Sequence, residues 1–231
     1  MDSVKLLNRV DSKYVMSKRQ FYEILPQLKS DYQSLTINEL RSANYKSLYF
    51  DTEDFKYYND HHNGRVNRHK VRTRKYLDSE LCFFEIKHKN KGRTDKKRIR
   101  VADIDNEIQG ESNDFLDRVI EHAPDLKPCL WNNFERVTLV NNERKERLTF
   151  DIGLNFSWNE KDFGFPDIVI AEVKQEINDR NTPCRRLFKS NMIREAKVSK
   201  YCIGMGLLYK GLKTNRFKQK YLMIDKIQKY A

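Results

Sequence analysis

Apolar and polar residues alternate with period two through much of the middle of the chain, the pattern of strands with one face turned to a core. Residues 71–76 put Arg72 and Arg74 on one face, and residues 82–89 put Glu85, Lys87 and Lys89 opposite Phe84 and Ile86. In 96–101, Lys96, Arg98 and Arg100 oppose Ile99 and Val101; in 134–140, Phe134 and Arg136 oppose Val137 and Leu139. In 146–151, Arg147, Thr149 and Asp151 oppose Leu148 and Phe150; in 167–174, Glu172 and Lys174 oppose Val169, Ala171 and Val173. Helical spacing appears elsewhere. Ser17 and Gln20 are placed as a capping box before Phe21, Ile24 and Leu25, with Pro26 ending the segment. Further helices are predicted from Thr52 to near Gly64, from Ser112 to before Pro124, after the Thr182-Pro183 pair, from Val198 to Tyr209, and from Arg216 to Tyr230.

The charged strand faces are more one-sided than solvent exposure requires. A solvated face mixes both signs with Thr, Ser and Gln, whereas here Arg and Lys dominate and Glu85, Glu172 and Asp151 stand among them. Like charges on neighbouring strands repel. They become tolerable if the sheet closes round them, helices cover the apolar exterior, and a polyanion with a divalent cation neutralises the interior. The expected fold is therefore α+β, an antiparallel eight-stranded β-barrel with a cationic lumen and helices packed outside.

Composition narrows the partners. The chain has 231 residues, 45 Lys+Arg against 33 Asp+Glu and a net charge of +12, so its partner is expected to be anionic. With 8 Gly and 5 Pro, scattered, and 12% aromatic residues, neither linkers nor disorder are expected. One barrel domain is expected over 1–212, with 213–231 a basic helix packed on it or extending from it. No stretch reaches the roughly 18 apolar residues of a membrane span, and the first residues lack the apolar run of a signal peptide. A cytoplasmic protein is expected. The cysteines at 82, 129, 184 and 202 contain no CxxC pair and read as packed thiols.

The ordered segments RVDSKY (9–14), YKSLYFDT (45–52), YYNDHHNG (57–64), VRTRKY, FFEIKHK, KKRIR, ERLTFD, IAEVK and KVSKYC (197–202) resemble the VTC domain. This is the polyphosphate polymerase domain of the vacuolar transporter chaperone complex, within the triphosphate tunnel metalloenzyme superfamily. The resemblance implies a tunnel that binds ATP with Mn²⁺ or Mg²⁺ and adds its terminal phosphate to a growing polyphosphate chain. It places Lys13, Arg72, Arg74, Lys87, Arg136, Arg147 and Lys200 in the catalytic set, and Arg9, Lys89, Lys96, Arg98, Lys174, Lys197 and Ser199 on the substrate. The KKR run leaves Lys97 open as a one-residue slip from Lys96. Glu172, with Glu85, falls to the metal. Phe134 stands where the family often has Tyr, which removes a hydroxyl from the phosphate path. The CYTH branch of the superfamily carries an N-terminal ExExK; RVDSK in its place favours polymerase over hydrolase.

Phosphoryl transfer needs positioning and charge stabilisation rather than a covalent intermediate, which a ring of Arg and Lys around divalent metal can supply. A tunnel triphosphatase and a non-catalytic polyphosphate or inositol-phosphate sensor would use the same side chains, and both stay open. A nucleic-acid binder is disfavoured because the basic residues share strand faces with carboxylates and no RNA- or DNA-binding motif is present. The eukaryotic complexes add membrane-spanning segments to this domain, so the resemblance leaves two alternatives open: a chain that acts alone in the cytoplasm, or one held at the inner membrane face by a membrane protein partner. Gly206 to Gly211 has P-loop glycine spacing, but Leu212 replaces the required Lys. His61 and His62 lack an HExxH pattern and read as capping or surface residues. The basic tail reads as a packed helix with a solvated face.

Overall fold

The computed structural model describes residues 10–36 and 39–230. The chain opens with β1 (Val10–Ser17), and Ser17 then caps α1 (Lys18–Ile24) in a complete capping box with Gln20. Pro26 stops that helix, and a single 3₁₀ turn leads to the short β2 (Tyr32–Ser34). After β3 (Ser42–Asp51) comes α2 (Lys56–His62), which starts four residues later than the sequence predicts. The reason is the Asp51 carboxylate. It accepts the backbone amides of Thr52, Tyr57 and Tyr58, while the Thr52 hydroxyl accepts that of Lys56 and Phe55 turns left-handed at φ 56°. Residues 52–55 are thus consumed in capping.

Three hairpin-linked strands follow: β4 (Arg68–Tyr76), β5 (Leu81–Asn90) and β6 (Arg93–Val101). Beyond α3 (Glu111–Val119) lie the long β7 (Lys127–Asn141) and β8 (Glu146–Trp158), then β9 (Lys161–Phe165) and β10 (Ile168–Gln175). The C-terminal third is helical, with α4 (Pro183–Ser190), α5 (Lys200–Leu208) and α6 (Lys218–Lys229). Thr182 and Pro183 open α4 as predicted. Ser199 rather than Val198 opens α5, its hydroxyl accepting the amide of Cys202, and a 3₁₀ turn over Asn215–Phe217 replaces the predicted start of α6.

The sheet runs β1-β10-β8-β7-β3-β4-β5-β6, every pair antiparallel, with β2 added to β7 and β9 to β8. This is the expected eight-stranded α+β arrangement. The sheet curls so far that Lys87 of β5 feels the charges of Glu172 on β10 and Lys13 on β1. Among the described residues no ladder joins the edge strands β6 and β1, so the curl keeps a seam. The segment before α5 lies in that seam. Glu195 bridges to Tyr14, Ala196 donates to the Lys13 carbonyl at 2.7 Å, and Ser199 accepts Lys70 Nζ from β4 at 2.8 Å.

Alternation puts the apolar rows outside. Phe21, Ile24 and Phe188 of α1 and α4 cover Leu148, Phe150, Val169, Ala171 and Val173, and Phe115 and Leu116 of α3 cover Leu48, Phe50, Val71, Phe84 and Ile86. A third cluster fills one end of the curl, where Tyr201, Ile203, Met205 and Leu208 of α5 meet Leu130, Leu154 and Phe156. The helix α6 adds Ile224 there. All four cysteines are buried free thiols. His61 and His62 tie α2 down, to the His69 carbonyl at 3.1 Å and to Asn215 Oδ1 at 2.8 Å. No helix of the described residues is long and apolar enough to cross a membrane.

Gly204 lets α5 sink into this end, because a Cβ there would stand 2.7 Å from Phe156 Cδ1 and 2.9 Å from Leu130 Cδ1. Overpacking costs about 1–3 kcal/mol against about 1 kcal/mol gained in helix propensity. Gly204→Ala is therefore expected to lower the urea midpoint at unchanged slope; an equal or higher midpoint would show that α5 is not wedged at this position.

Candidate active site

The concave face gathers polar side chains from every strand of the curl. Registered pairs run Lys13–Glu172–Thr149 across β1, β10 and β8, with Lys174 opposite Arg147 in the next row toward the end of β10. Arg136 pairs with Asp151, Phe134 with Tyr45, and Ser47 with Arg74. Tyr49–Arg72–Glu85–Arg98 and Lys70–Lys87–Lys96 complete two rows on β3 to β6. The lumen therefore presents Lys13, Lys70, Arg72, Arg74, Lys87, Lys96, Arg136, Arg147, Lys174 and Lys200 against the carboxylates Glu85, Asp151 and Glu172.

Each carboxylate clips cations into place. Glu85, wholly buried, accepts Arg72 Nε at 2.8 Å and Nη2 at 2.6 Å on Oε2 and pairs with Lys96 through Oε1. Burial alone would raise its carboxyl, but Arg72, Arg74 and Lys96 outweigh burial and hold it well below the usual range. Asp151 accepts Arg136 Nε at 2.5 Å and Nη2 at 2.8 Å, with Lys200 on the same carboxylate. Burial is again overcome, by Arg136 and Lys200, and the carboxyl is driven down. Glu172 pairs with Lys174 at 3.0 Å and is held well below the usual range by Lys174 and Lys13, against burial.

An aromatic platform lies between Arg74, which no carboxylate clips, and the Asp151-bound pair Arg136 and Lys200. The Tyr45 and Phe134 rings stack at 5.0 Å and 4°, with Arg74 and Arg136 lying 5.1–5.6 Å from both centroids and Lys200 Nζ 4.6 Å from Phe134. Ring quadrupoles attract these charges without adding an anion. The cations still in excess show it in their protonation. Burial brings Lys96 and Lys200 down to about 8 despite their carboxylates, and burial with Arg72 pushes Lys87 well below the usual lysine range. Lys87 has neither a hydrogen bond nor an ion pair among the described residues.

The structure brings most of the sequence-derived set together. Lys13, Arg72, Arg74, Lys87, Lys96, Arg136, Arg147, Lys174, Lys200, Glu85 and Glu172 share the lumen, and the Lys96–Glu85 pair settles the register against Lys97. Arg98 stacks 4.3 Å over Phe83 at the β6 edge. Lys89 feels the charges of Arg68 and of the exposed Lys197, and Ser199 caps α5 while holding Lys70. Arg9 lies outside the described residues. The sequence reading missed Lys70, although extending the Arg72 and Arg74 alternation two residues back would have included it. It also missed Tyr45 and Tyr49, whose row is aromatic rather than charged.

Among the described residues no three His, Cys, Asp or Glu side chains form a metal cage. A Mg²⁺-like ion needs none, since it takes one or two carboxylates plus phosphate oxygens. Glu172 fits that role, with one ion pair and a lumen position beside Lys13. Glu85, spent on Arg72 and Lys96, is placed as their anchor.

An antiparallel sheet curled round such a lumen defines a protein of the triphosphate tunnel type. The VTC domain family profile matches residues 8–209, and the chain belongs to that family. No curated protein matches it. Among solved structures it is similar to a candidate adenylate cyclase from Bacillus halodurans at 16% identity and TM-score 0.55, covering 83% of this chain and 94% of that one. It is also similar to a candidate adenylyl cyclase from Hippeastrum, described as having a dominant triphosphatase activity, at 12% identity and TM-score 0.51, covering 87% of this chain and 96% of that one. These two likenesses concern the fold.

The clips make stability acid-sensitive. Carboxyls lowered in the folded state stabilise it fully above their unfolded range near about 4, and the contribution is lost as pH falls through the folded values. The melting temperature is expected to fall below about pH 4. Asp151→Asn strands Arg136 and Lys200, a loss of about 3–5 kcal/mol at neutral pH, and should flatten the acid limb. A neutral-pH melt equal to wild type would remove Asp151 from this role.

Proposed function

We propose that this chain is a polyphosphate polymerase that transfers the terminal phosphate of ATP to the end of a polyphosphate chain inside the lumen. The supporting observation is the enclosed cationic excess centred on Lys87 and on Arg74, whose guanidinium donates to the Ser47 hydroxyl at 3.2 Å and makes no ion pair among the described residues. Buried like charges at this density need a polyanion, and a phosphate chain threads a row of cations better than a compact anion does.

In this reading an oxygen of the chain terminus attacks the γ-phosphorus in line, the γ-phosphorus bond to the β-γ bridging oxygen breaks, and ADP leaves. The attacking oxygen is ionised at neutral pH, so no general base is required, and the protein's part is positioning and charge stabilisation. Arg72, Arg74 and Arg136 present planar forks to nonbridging oxygens, while Lys13, Lys87, Lys96 and Lys200 act as point charges. Arg147 and Lys174 continue the row toward one mouth, and Lys89, Lys197 and Arg68 continue it at Lys89's end. Glu172 would hold Mn²⁺ or Mg²⁺, which would supply neutralisation of the charge developing on the phosphates.

Incubation with ATP and Mn²⁺ or Mg²⁺, followed by gels for long phosphate chains and an orthophosphate assay, tests this. Long chains are expected, and Arg72→Ala and Glu172→Gln should each lose about a hundredfold or more of the rate while keeping the wild-type circular dichroism. Orthophosphate alone would identify a tunnel triphosphatase. Intact ATP with retained polyphosphate binding would identify a sensor.

A further inference from the structure

Tyr49 reaches the lumen from β3 and is 4% exposed. Its hydroxyl oxygen accepts Arg72 Nη1 at 2.9 Å, and the Arg72 guanidinium lies 5.6 Å from its ring centroid. On the other side its ring packs 5.2 Å from that of Tyr201 in α5, whose own hydroxyl is committed to Asp51. From β4 it is faced by Lys70, Arg72 and Arg74. From β5 the nearest anion is Glu85, but Arg72 already binds its Oε2 with Nε and Nη2. From β7 the Cys129 thiol donates to the Tyr49 carbonyl at 3.3 Å. On its own strand, Tyr45 carries the aromatic platform, and Asp51 caps α2.

The phenol oxygen thus stands in a cluster of three cations with its anionic competitor used up. Burial pushes the phenol up, yet Arg72, Arg74 and Lys70 outweigh it and bring it down to about 8. The neighbouring Tyr45, Tyr58 and Tyr201 are pushed the other way, each first by burial.

We infer that Tyr49 is the proton-exchanging member of the phosphate site: in mildly alkaline solution it balances Lys70, Arg72 and Arg74 as phenolate while the lumen holds no phosphate, and it takes up one proton when a triphosphate enters. The inference rests on the reading of the lumen as a triphosphate site. The proton comes from solvent and adds to the phenolate oxygen; no other bond changes. Phosphate oxygens supply the negative charge that the phenolate had supplied, so the field that favoured ionisation vanishes. The neutral phenol still accepts from Arg72 and now has a proton to donate to a phosphate oxygen. Tyr49 is in this sense a charge regulator: beside the fixed Glu85 carboxylate on Arg72, it supplies a counter-charge that protonation removes when the substrate's own charge arrives.

The test follows the near-ultraviolet absorbance of ionised tyrosine in the full chain, titrated from about pH 6.5 to about pH 9.5 with and without inorganic tripolyphosphate. Tyr49→Phe keeps the ring against Tyr201 and removes the titrating oxygen. Wild type is expected to show a one-tyrosine step centred at about 8, abolished by saturating tripolyphosphate and absent from Tyr49→Phe. Above that step, wild-type affinity for tripolyphosphate should fall by up to about tenfold per pH unit relative to the variant. A step that is missing in wild type, persists in the variant or survives saturation overturns the inference. Calorimetry separates the two levels: tripolyphosphate that binds wild type without a tyrosine step overturns the inference alone. Tripolyphosphate that does not bind wild type overturns the triphosphate reading and the inference with it.

Discussion

The constraint that orders this molecule is the mutual repulsion of lysines and arginines enclosed on one concave face. In a medium of lowered dielectric, like charges at side-chain spacing cost several kcal/mol unless each is paired, screened or neutralised. The chain answers in three ways. Glu85, Asp151 and Glu172 each hold cations in fixed ion pairs, the Tyr45–Phe134 stack holds Arg74, Arg136 and Lys200 over its rings, and burial lowers the proton affinity of Lys87, Lys96 and Lys200. What remains uncompensated is an excess of positive charge, centred on Lys87.

The same constraint explains why the outside is as apolar as it is. A strand that spends one face on charge has only the other to stabilise the fold, and that face must be fully covered. Hence Leu148, Phe150, Val169, Ala171 and Val173 are all below 1% exposed under α1 and α4, and Phe84 and Ile86 lie under α3. Helix α5 is different. It is apolar nearly all round because it fills the end of the curl, with strand residues such as Leu130 and Phe156 against it and α6 behind it.

Where burial follows alternation, the sequence could be read directly. The six strands with charged and apolar faces are present, and most residues assigned to the charged face point inward, because a period of two leaves no freedom once the apolar row is covered; Arg98 and Arg100 of the edge strand β6 stay exposed. What escaped that reading lacks the contrast. The β3 stretch Tyr45–Ser47–Tyr49 opposite Leu48 and Phe50 carries no charge on its inner row, so it shows no charged-against-apolar alternation although that row supports Arg72, Arg74 and Arg136. Nor could local spacing reveal that Asp51 would cap α2 from outside the helix, or that Glu85 would be bound by both Arg72 and Lys96, since those contacts join different elements.

The seam between β6 and β1 shows how charge and topology meet. Closing the ladder there would set β6, with Lys96, Lys97, Arg98 and Arg100, directly against β1 and its Lys13. The segment 195–199 takes that place on the β1 side and reaches across to β4. Its backbone receives Lys13 Nζ at the Val198 carbonyl, 3.3 Å, and its Ser199 hydroxyl receives Lys70 Nζ. A backbone carbonyl and a hydroxyl can each take an ammonium proton without adding a formal charge. The two sides of the curl are therefore held by neutral acceptors on the segment that also starts α5. Lys200, the first residue of α5, then projects from that anchored point onto Asp151 and the Phe134 ring. The short run from Glu195 to Lys200 thus binds the edge strand, starts the helix that fills the end of the curl, and delivers a lumen cation. Its register is fixed both by Val198, buried in the core at the end of the curl, and by the Lys13 and Lys70 contacts that serve the charged face.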